Sequence, residues 1–181
     1  LVREWGRDWR GHFRRFDPRP IAAASIGQVH RATTHDGRDL AIKIQYPGVR
    51  ESIDADVDNV ATLLRISGLL PRDLDIAPLL GAAKRQLAEE TDYKREGAQM
   101  ARFRTLLADT PEIVVPELVP ALTTSRILTM SFVEGRAIEA LESAPQALRD
   151  TIARSVIKLV LRELFEFGLM QTDPNFANFR Y

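Results

Sequence analysis

The sequence predicts an α+β fold in which a small antiparallel sheet near the amino terminus is interrupted by helices and then followed by a helical segment. Three observations predict it. Short runs rich in Val, Ile and Ala lie on either side of Asp36-Gly37, and that dipeptide is a hairpin signal because both residues tolerate positive φ. From Val49 onward apolar residues recur at three- and four-residue steps, which is the helical period. Prolines at 111, 116 and 120 then bracket a return to strand-like sequence before a last apolar helix.

Taken in order, residues 1–20 interleave Arg3, Arg7, Arg10, Arg14, Arg15 and Arg19 with Trp5, Trp9, Phe13 and Phe16. This reads as an amphipathic helix, and the same pattern also suits an anionic membrane surface. Ala22 to Val29 and then Leu40-Ala41-Ile42-Lys43 form strand, tight turn and strand. Val49, Ile53, Val57, Val60, Ala61 and Leu64 place a helix over roughly 49–70, closed by Gly68 and Pro71. Its other face carries Glu51, Asp54, Asp56 and Asp58 and reads as solvated. A second helix starts near Asp75, with an acidic cap and the early Pro78, and continues to about Leu107. Glu90, Asp92 and Glu96 lie within it; the first two are two residues apart and cannot share a face unless the helix distorts. Ile113 to Val115 and Arg126 to Val133 read as strands. Pro145 to Gly168 is a long helix with Leu148, Ile152, Val156, Leu159, Val160 and Leu164 apolar, terminated by Gly168.

Bulk composition excludes several classes. Lys plus Arg and Asp plus Glu number 25 each, so there is no overall basic field to draw nucleic acid. The chain has no cysteine, hence no disulfide framework and no thiolate metal site. No apolar stretch approaches the roughly 20 residues that span a bilayer, since Val156 to Leu161 is broken by Lys158. No signal peptide is evident, and the first residue is not Met, which reads as a fragment.

The chemistry begins at Gln171-Thr172-Asp173-Pro174-Asn175-Phe176-Ala177-Asn178, where Asp173 and Asn178 have four residues between them. Phosphoryl transfer needs a carboxylate for the incoming hydroxyl and an amide oxygen for the metal ion, and one short loop with this spacing supplies both. Two further parts of a nucleotide site lie upstream in the order such enzymes use. Ala22-Ala23-Ala24-Ser25-Ile26-Gly27-Gln28-Val29 stands where a phosphate loop would, with Gly27 as its third glycine and alanines at 22 and 24 in place of the first two. Ala41-Ile42-Lys43 follows as the strand that bears a phosphate-binding lysine.

Those motifs, with Ile42-Lys43-Ile44-Gln45-Tyr46-Pro47-Gly48-Val49 and Glu90-Thr91-Asp92-Tyr93, resemble the UbiB (AarF-related) atypical kinases, closest to the branch that supports coenzyme Q biosynthesis. The resemblance runs from about Phe16 to Tyr181. It implies a protein-kinase-like fold: residues 21–133 as an amino-terminal lobe with a helical insertion over 49–108, then hinge and start of a helical carboxyl-terminal lobe over 134–181, truncated there. It implies ATP and Mg²⁺ as ligands. Lys43 would bind the α- and β-phosphates, held by Glu96 or, as second choice, Glu90, which with Asp92 belongs to a family acidic motif. Met130 would guard the pocket, and the backbone of Ser131 to Val133 would meet adenine. Asp173 would accept the proton of the acceptor hydroxyl or position a water, while Asn178 would ligate Mg²⁺.

Three departures argue against a conventional protein kinase. Gln171-Thr172 replaces His-Arg, Asn175 replaces the lysine that steadies the γ-phosphate, and alanines at 22 and 24 discourage positive φ and close backbone approach to phosphate. No Asp-Phe-Gly and no Lys-x-Gly-Gln occur in the chain, so these 181 residues are expected to be inactive by themselves. The resemblance further implies an ATPase or small-molecule kinase in ubiquinone biosynthesis, or alternatively a pseudokinase scaffold binding nucleotide or lipid. Its partners would be membrane lipid or isoprenoid quinone precursors and other proteins of that pathway, with no nucleic acid. The expected location is cytoplasmic and peripheral to the inner membrane in a bacterium, or the matrix face in a mitochondrion.

Overall fold

Five strands make one antiparallel sheet in the order β1-β3-β4-β5, with β2 also paired to β3. They are β1 Phe13–Phe16, β2 Ala22–Ala24, β3 Gly27–Thr34, β4 Asp39–Gln45 and β5 Ile127–Ser131. The structure is a computed structural model that describes residues 1–68, 76–171 and 176–181, with the backbone alone at Glu90 and Ala177. Two compact units are formed, residues 1–101 with 116–132 and residues 102–115 with 133–181.

The β3–β4 hairpin turns where Asp36-Gly37 placed it, with Gly37 at φ 88 and Thr34 N–H donating to Arg38 O at 3.0 Å. One face of the sheet is sealed by Trp9, Phe13, Ala32, Leu40, Ile42 and Ile127, with Leu1, Trp5 and Phe16 packed against them. That packing corrects the helix expected over residues 1–20. The chain makes one short helix, α1 Val2–Trp5, then Gly6 at φ 82 breaks it. A 3₁₀ turn over Trp9–His12 leads into β1. The i, i+4 spacing of the aromatics suits a helix, but pairing β1 with β3 satisfies the backbone and still buries Trp9 and Phe13.

Helix α2 spans Val49–Ile66 and buries Ile53, Val57 and Ala61. Its acidic face is solvated as the sequence suggested, and Glu51, Asp54 and Asp58 pair with basic side chains while remaining exposed. Lys84 of α3 (Ala77–Glu90) reaches Asp58 at 2.8 Å and Asp54 at 3.8 Å, and Arg126 reaches Glu51 at 2.8 Å. The starting cap expected at Asp75 and the closing Pro71 lie outside the described residues; α2 ends at Ile66, just ahead of Gly68 at φ 67, while Ile76 caps α3 and proline occupies its first turn.

The long second helix is in fact two, because the chain breaks at Thr91-Asp92 before α4 Tyr93–Leu106. Thr91 is buried, and its carbonyl accepts from Gln45 Nε2 at 3.1 Å. Asp92 restarts the helix: its Oδ1 accepts from Lys94 N–H at 3.1 Å and its carbonyl from Glu96 N–H at 3.1 Å, the geometry of an N-cap. The expected strand at Ile113 to Val115 does not form. Prolines at 111 and 116 limit its donors, and Val115 O instead accepts from Arg104 Nη1 at 2.8 Å. In the second unit α5 Gln146–Arg162 continues into a π-helical turn, Glu163–Phe167, which Gly168 ends at φ 57, the left-handed cap its position predicted. No helix among the described residues is long and apolar enough to cross a membrane.

Candidate functional site

Strand register decides what shares a face with Lys43. Cross-strand partners point the same way, and Lys43 lies opposite Val29 on β3 and Leu128 on β5. Val29 in turn faces Ala22, Gly27 faces Ala24, and Ala41 faces Met130. Ala22, Ala24, Gly27, Val29, Ala41, Lys43 and Met130 therefore occupy the sheet face away from the aromatic core. Ala23, opposite Gln28, belongs to the other face, and Ser25 sits in the two-residue turn.

The alanine segment is a regular hairpin, and no non-glycine residue among those described has positive φ. Gly27 also lacks a positive φ. Its role is proximity: a Cβ there would stand 2.2 Å from Ile44 O, inside the β3–β4 ladder. The sequence matched it to a phosphate loop, and the geometry adds an inter-strand reason for glycine.

Helix α4 supplies the partner of Lys43. At Gly97 a Cβ would come within 2.8 Å of Leu118 Cδ1 and 3.1 Å of Leu128 Cδ1, so the missing side chain lets the helix lie close against β5. Glu96 is thereby brought beside Lys43, whose Nζ donates to Oε1 at 2.9 Å and Oε2 at 3.0 Å. Tyr93, one turn earlier, places its ring centroid 4.7 Å from the same Nζ, a cation–π distance. Tyr93 is fully buried, and burial first, then the Glu96 charge, pushes its phenol above the ordinary range. Of the two candidate partners, Glu96 is the one against Lys43; the Glu90 side chain lies outside the described residues, and Asp92 serves as the α4 cap.

At the hinge, Ser131 is committed internally. Its N–H donates to Glu117 O at 2.8 Å, and its Oγ accepts from Glu117 N–H at 2.8 Å. Phe132 N–H donates to Asp39 O at 2.9 Å. Val133 begins the second unit.

Asp173, with Thr172, Pro174 and Asn175, lies outside the described residues, and so does the convergence of Asp173 with Lys43 that the motifs anticipated. Asn178 closes a 3₁₀ turn, Phe176–Asn178. Its neighbours on both sides are held. Gln171 N–H donates to Glu163 Oε2 at 3.1 Å, while Arg136 and Tyr181 exchange backbone bonds of 2.7 and 3.0 Å. Among the described residues no three His, Cys, Asp or Glu side chains converge on a metal position. Asn178 is the described residue that could contribute an amide oxygen to Mg²⁺, an ion held mainly by one or two carboxylates together with waters and substrate phosphates.

Sequence reasoning did not single out Tyr93, Gly97 or Glu163 individually. Two of them carried a signal. Gly97 is a glycine inside a helical pattern, which calls for a packing reason. Glu163 falls four residues after Leu159 and seven after Val156, an acid on an otherwise apolar stripe.

Comparison with known proteins agrees with the resemblance. The ABC1 atypical kinase-like domain matches residues 1–181. Atypical kinase coq-8, mitochondrial, of Caenorhabditis elegans is 46% identical over 97% of this chain and 23% of its own length. Atypical kinase COQ8, mitochondrial, of Saccharomyces cerevisiae is 43% identical over 100% of this chain and 36% of its own. The Rv3197–erythromycin complex structure from Mycobacterium tuberculosis superposes with a TM-score of 0.84 at 30% identity, covering 99% of this chain and 46% of that one. The chain thus spans about a quarter to a third of the curated relatives, and it belongs to the ABC1 atypical kinase-like domain family.

Proposed function

We propose that this chain, as a member of that family, binds ATP with Mg²⁺ and, within its intact gene product, acts as an ATPase or small-molecule kinase in support of ubiquinone biosynthesis. The observation that carries the reading is Lys43, held at both oxygens of Glu96 and over the Tyr93 ring, on a face it shares with Ala22, Val29, Ala41 and Met130. A lysine on a flexible stem binds phosphate poorly unless a carboxylate fixes its direction. Here that carboxylate is in place.

Each residue then has a task. Lys43 binds the α- and β-phosphates, with Glu96 orienting it. Ala41, Val29 and Met130 lie along the adenine; with the Ser131 and Phe132 N–H groups already bonded to Glu117 and Asp39, the Ser131 carbonyl and the Val133 N–H are the hinge groups that bond its edge. Asn178 ligates Mg²⁺, whose charge offsets that of the phosphates. An acceptor oxygen, from water or a small-molecule hydroxyl, bonds to the γ-phosphorus. The bond to the β-bridging oxygen breaks, ADP leaves with that electron pair, and the acceptor's proton passes to the Asp173 carboxylate. Asn175 and the alanines at 22 and 24 direct this chemistry away from protein substrates. Lipid or isoprenoid precursors and other proteins of the pathway are the partners this role implies, at the inner-membrane surface of a bacterium or on the matrix face of a mitochondrion. The 181 residues are inactive by themselves.

The test measures MgATP affinity by calorimetry and phosphate release for the intact gene product and its variants. Lys43→Ala and Glu96→Gln weaken MgATP binding, by roughly 10- to 100-fold for Lys43→Ala as charge-assisted bonds are lost. Asp173→Asn abolishes turnover while leaving binding intact. Unchanged affinity in Lys43→Ala together with unchanged turnover in Asp173→Asn refutes the assignment. The regular, all-negative-φ hairpin of the alanine segment favours a second reading, a scaffold that binds nucleotide or lipid without phosphoryl transfer. Thermal stabilisation by MgATP without phosphate release selects it.

A further inference from the structure

Glu163 is 4% exposed, and carboxylates are seldom this deep unless they are paired or hydrogen-bonded. Its Oε2 accepts the backbone N–H of Gln171 at 3.1 Å, two residues before Asp173. The turn that carries it, Glu163–Phe167, is π-helical and ends at Gly168 in the left-handed region; such turns recur at functional positions. The turn is anchored independently of Gln171. Arg162, preceding Glu163, reaches Asp109 at 3.1 Å and Glu166 at 2.6 Å. Its guanidinium also lies 4.8 Å from the Phe167 ring centroid.

The described residues that follow, Phe176 to Tyr181, are held as well. Phe179 N–H donates to Phe176 O at 2.9 Å, Tyr181 N–H to Arg136 O at 3.0 Å and Arg136 N–H to Tyr181 O at 2.7 Å. Arg180 Nη1 donates to Gly135 O at 2.9 Å. Gly135 accepts this neighbour only because it lacks a Cβ, which would stand 2.9 Å from Arg180 Cβ.

We infer that Glu163 is a positioning residue. By holding Gln171 N–H to the anchored π turn, it fixes the point from which the backbone leads to Asp173. It therefore sets the rate of phosphoryl transfer and leaves nucleotide affinity to the Lys43 face. This inference rests on the proposed role of Asp173, and it assigns the residue that supports that role.

The experiment compares Glu163→Leu, Glu163→Gln and Glu163→Asp in the intact gene product, reading kcat for ATP turnover, Kd for MgATP and Tm. Gln keeps an oxygen acceptor at the same reach, Leu removes it, and Asp withdraws it by one methylene. Misplacing a catalytic loop by about an ångström costs up to roughly 100-fold, so Glu163→Leu should lose about 30- to 100-fold in kcat with Kd within about twofold. Glu163→Gln should restore most of that loss, and Glu163→Asp should fall between them. A Glu163→Leu kcat within threefold of the parent overturns the inference. So does a Kd that rises in step with the fall in kcat, or a Glu163→Gln as deficient as Glu163→Leu. Should Glu163→Leu not fold, equal kcat in the Gln, Asp and parent proteins overturns it instead. Lys43→Ala and Asp173→Asn run alongside: if they leave binding and turnover unchanged, the functional reading fails with the inference, whereas if they are impaired and Glu163→Leu is not, the inference alone fails.

Discussion

Replacing Tyr93 with Phe should make the protein more stable. Tyr93 is fully buried, and its hydroxyl has no hydrogen-bond partner among the described residues. A buried hydroxyl without a partner costs about 1–3 kcal/mol of desolvation that nothing returns. Tyr93→Phe removes that atom and keeps the ring, so the cation–π contact with Lys43 Nζ at 4.7 Å persists. The net gain should be about 1–2 kcal/mol, and at roughly 2–4 °C per kcal/mol for a chain of this size Tm should rise by several degrees. Alkaline pH supplies a second reading of the same variant. The folded phenol titrates above its ordinary value of 10.0 because burial disfavours phenolate. Above pH 10 the unfolded chain therefore releases a proton that the folded chain retains. Stability then falls with rising pH, by at most about 1.4 kcal/mol per unit. Tyr93→Phe should lack this component. Denaturant unfolding of parent and variant at pH 7 and from pH 10 upward measures both effects. A variant less stable than the parent at pH 7, or one with the same alkaline slope, would show that the hydroxyl is bonded and the reasoning wrong.

Other substitutions test other parts of the frame. Gly27→Ala places a Cβ 2.2 Å from Ile44 O and should destabilise by roughly 2–3 kcal/mol as overpacked backbone does; urea unfolding within 1 kcal/mol of the parent would mean that β3 and β4 can part. Gly97→Ala gains about 1 kcal/mol of helix propensity but meets Leu118 and Leu128. It should come out less stable by about 1 kcal/mol and should weaken MgATP binding as Glu96 moves; unchanged affinity would separate Glu96 from α4 packing. The carboxyl of Asp39 is held below its ordinary value of 3.8 by hydrogen bonds from Arg31 and then Thr33. Its contribution is therefore complete above that value and lost as pH falls through the lower folded one, so Asp39→Asn should flatten the stability profile only below about pH 4. A profile that differs between pH 5 and 7 would point to another group.

What was legible in the sequence follows how local each cause is. The Asp36-Gly37 turn, the Gly168 cap and the helices α2 and α5 depend on residues within a turn or two, and the structure has them where periodicity put them, although Val60, Leu148, Val160 and Leu164 of the expected apolar stripes are exposed. Residues 1–20 failed for a non-local reason. The spacing of Trp5, Trp9 and Phe13 satisfies a helix, yet an edge of β3 was available to pair with, and no property of the segment itself announces that edge. The break at Thr91-Asp92 is intermediate. The i, i+2 spacing of Glu90 and Asp92 made an unbroken helix awkward, but the Thr91 carbonyl is held by Gln45, 46 residues away.

That break bears directly on the candidate site. An unbroken helix from Ala77 to Leu106 would fix Glu96 by the phase of α3, which is set by contact with α2 rather than by the sheet. Restarting at Asp92 frees α4 to choose its own phase. Tyr93 N–H bonds Ser125 O at 3.1 Å, Gly97 admits the close approach to Leu118 and Leu128, and the turn between them turns Glu96 toward a lysine 53 residues back in the chain. Order of motifs along the sequence indicated that Lys43 needed a carboxylate. A helix interruption, one cap and one absent side chain determine which carboxylate it meets.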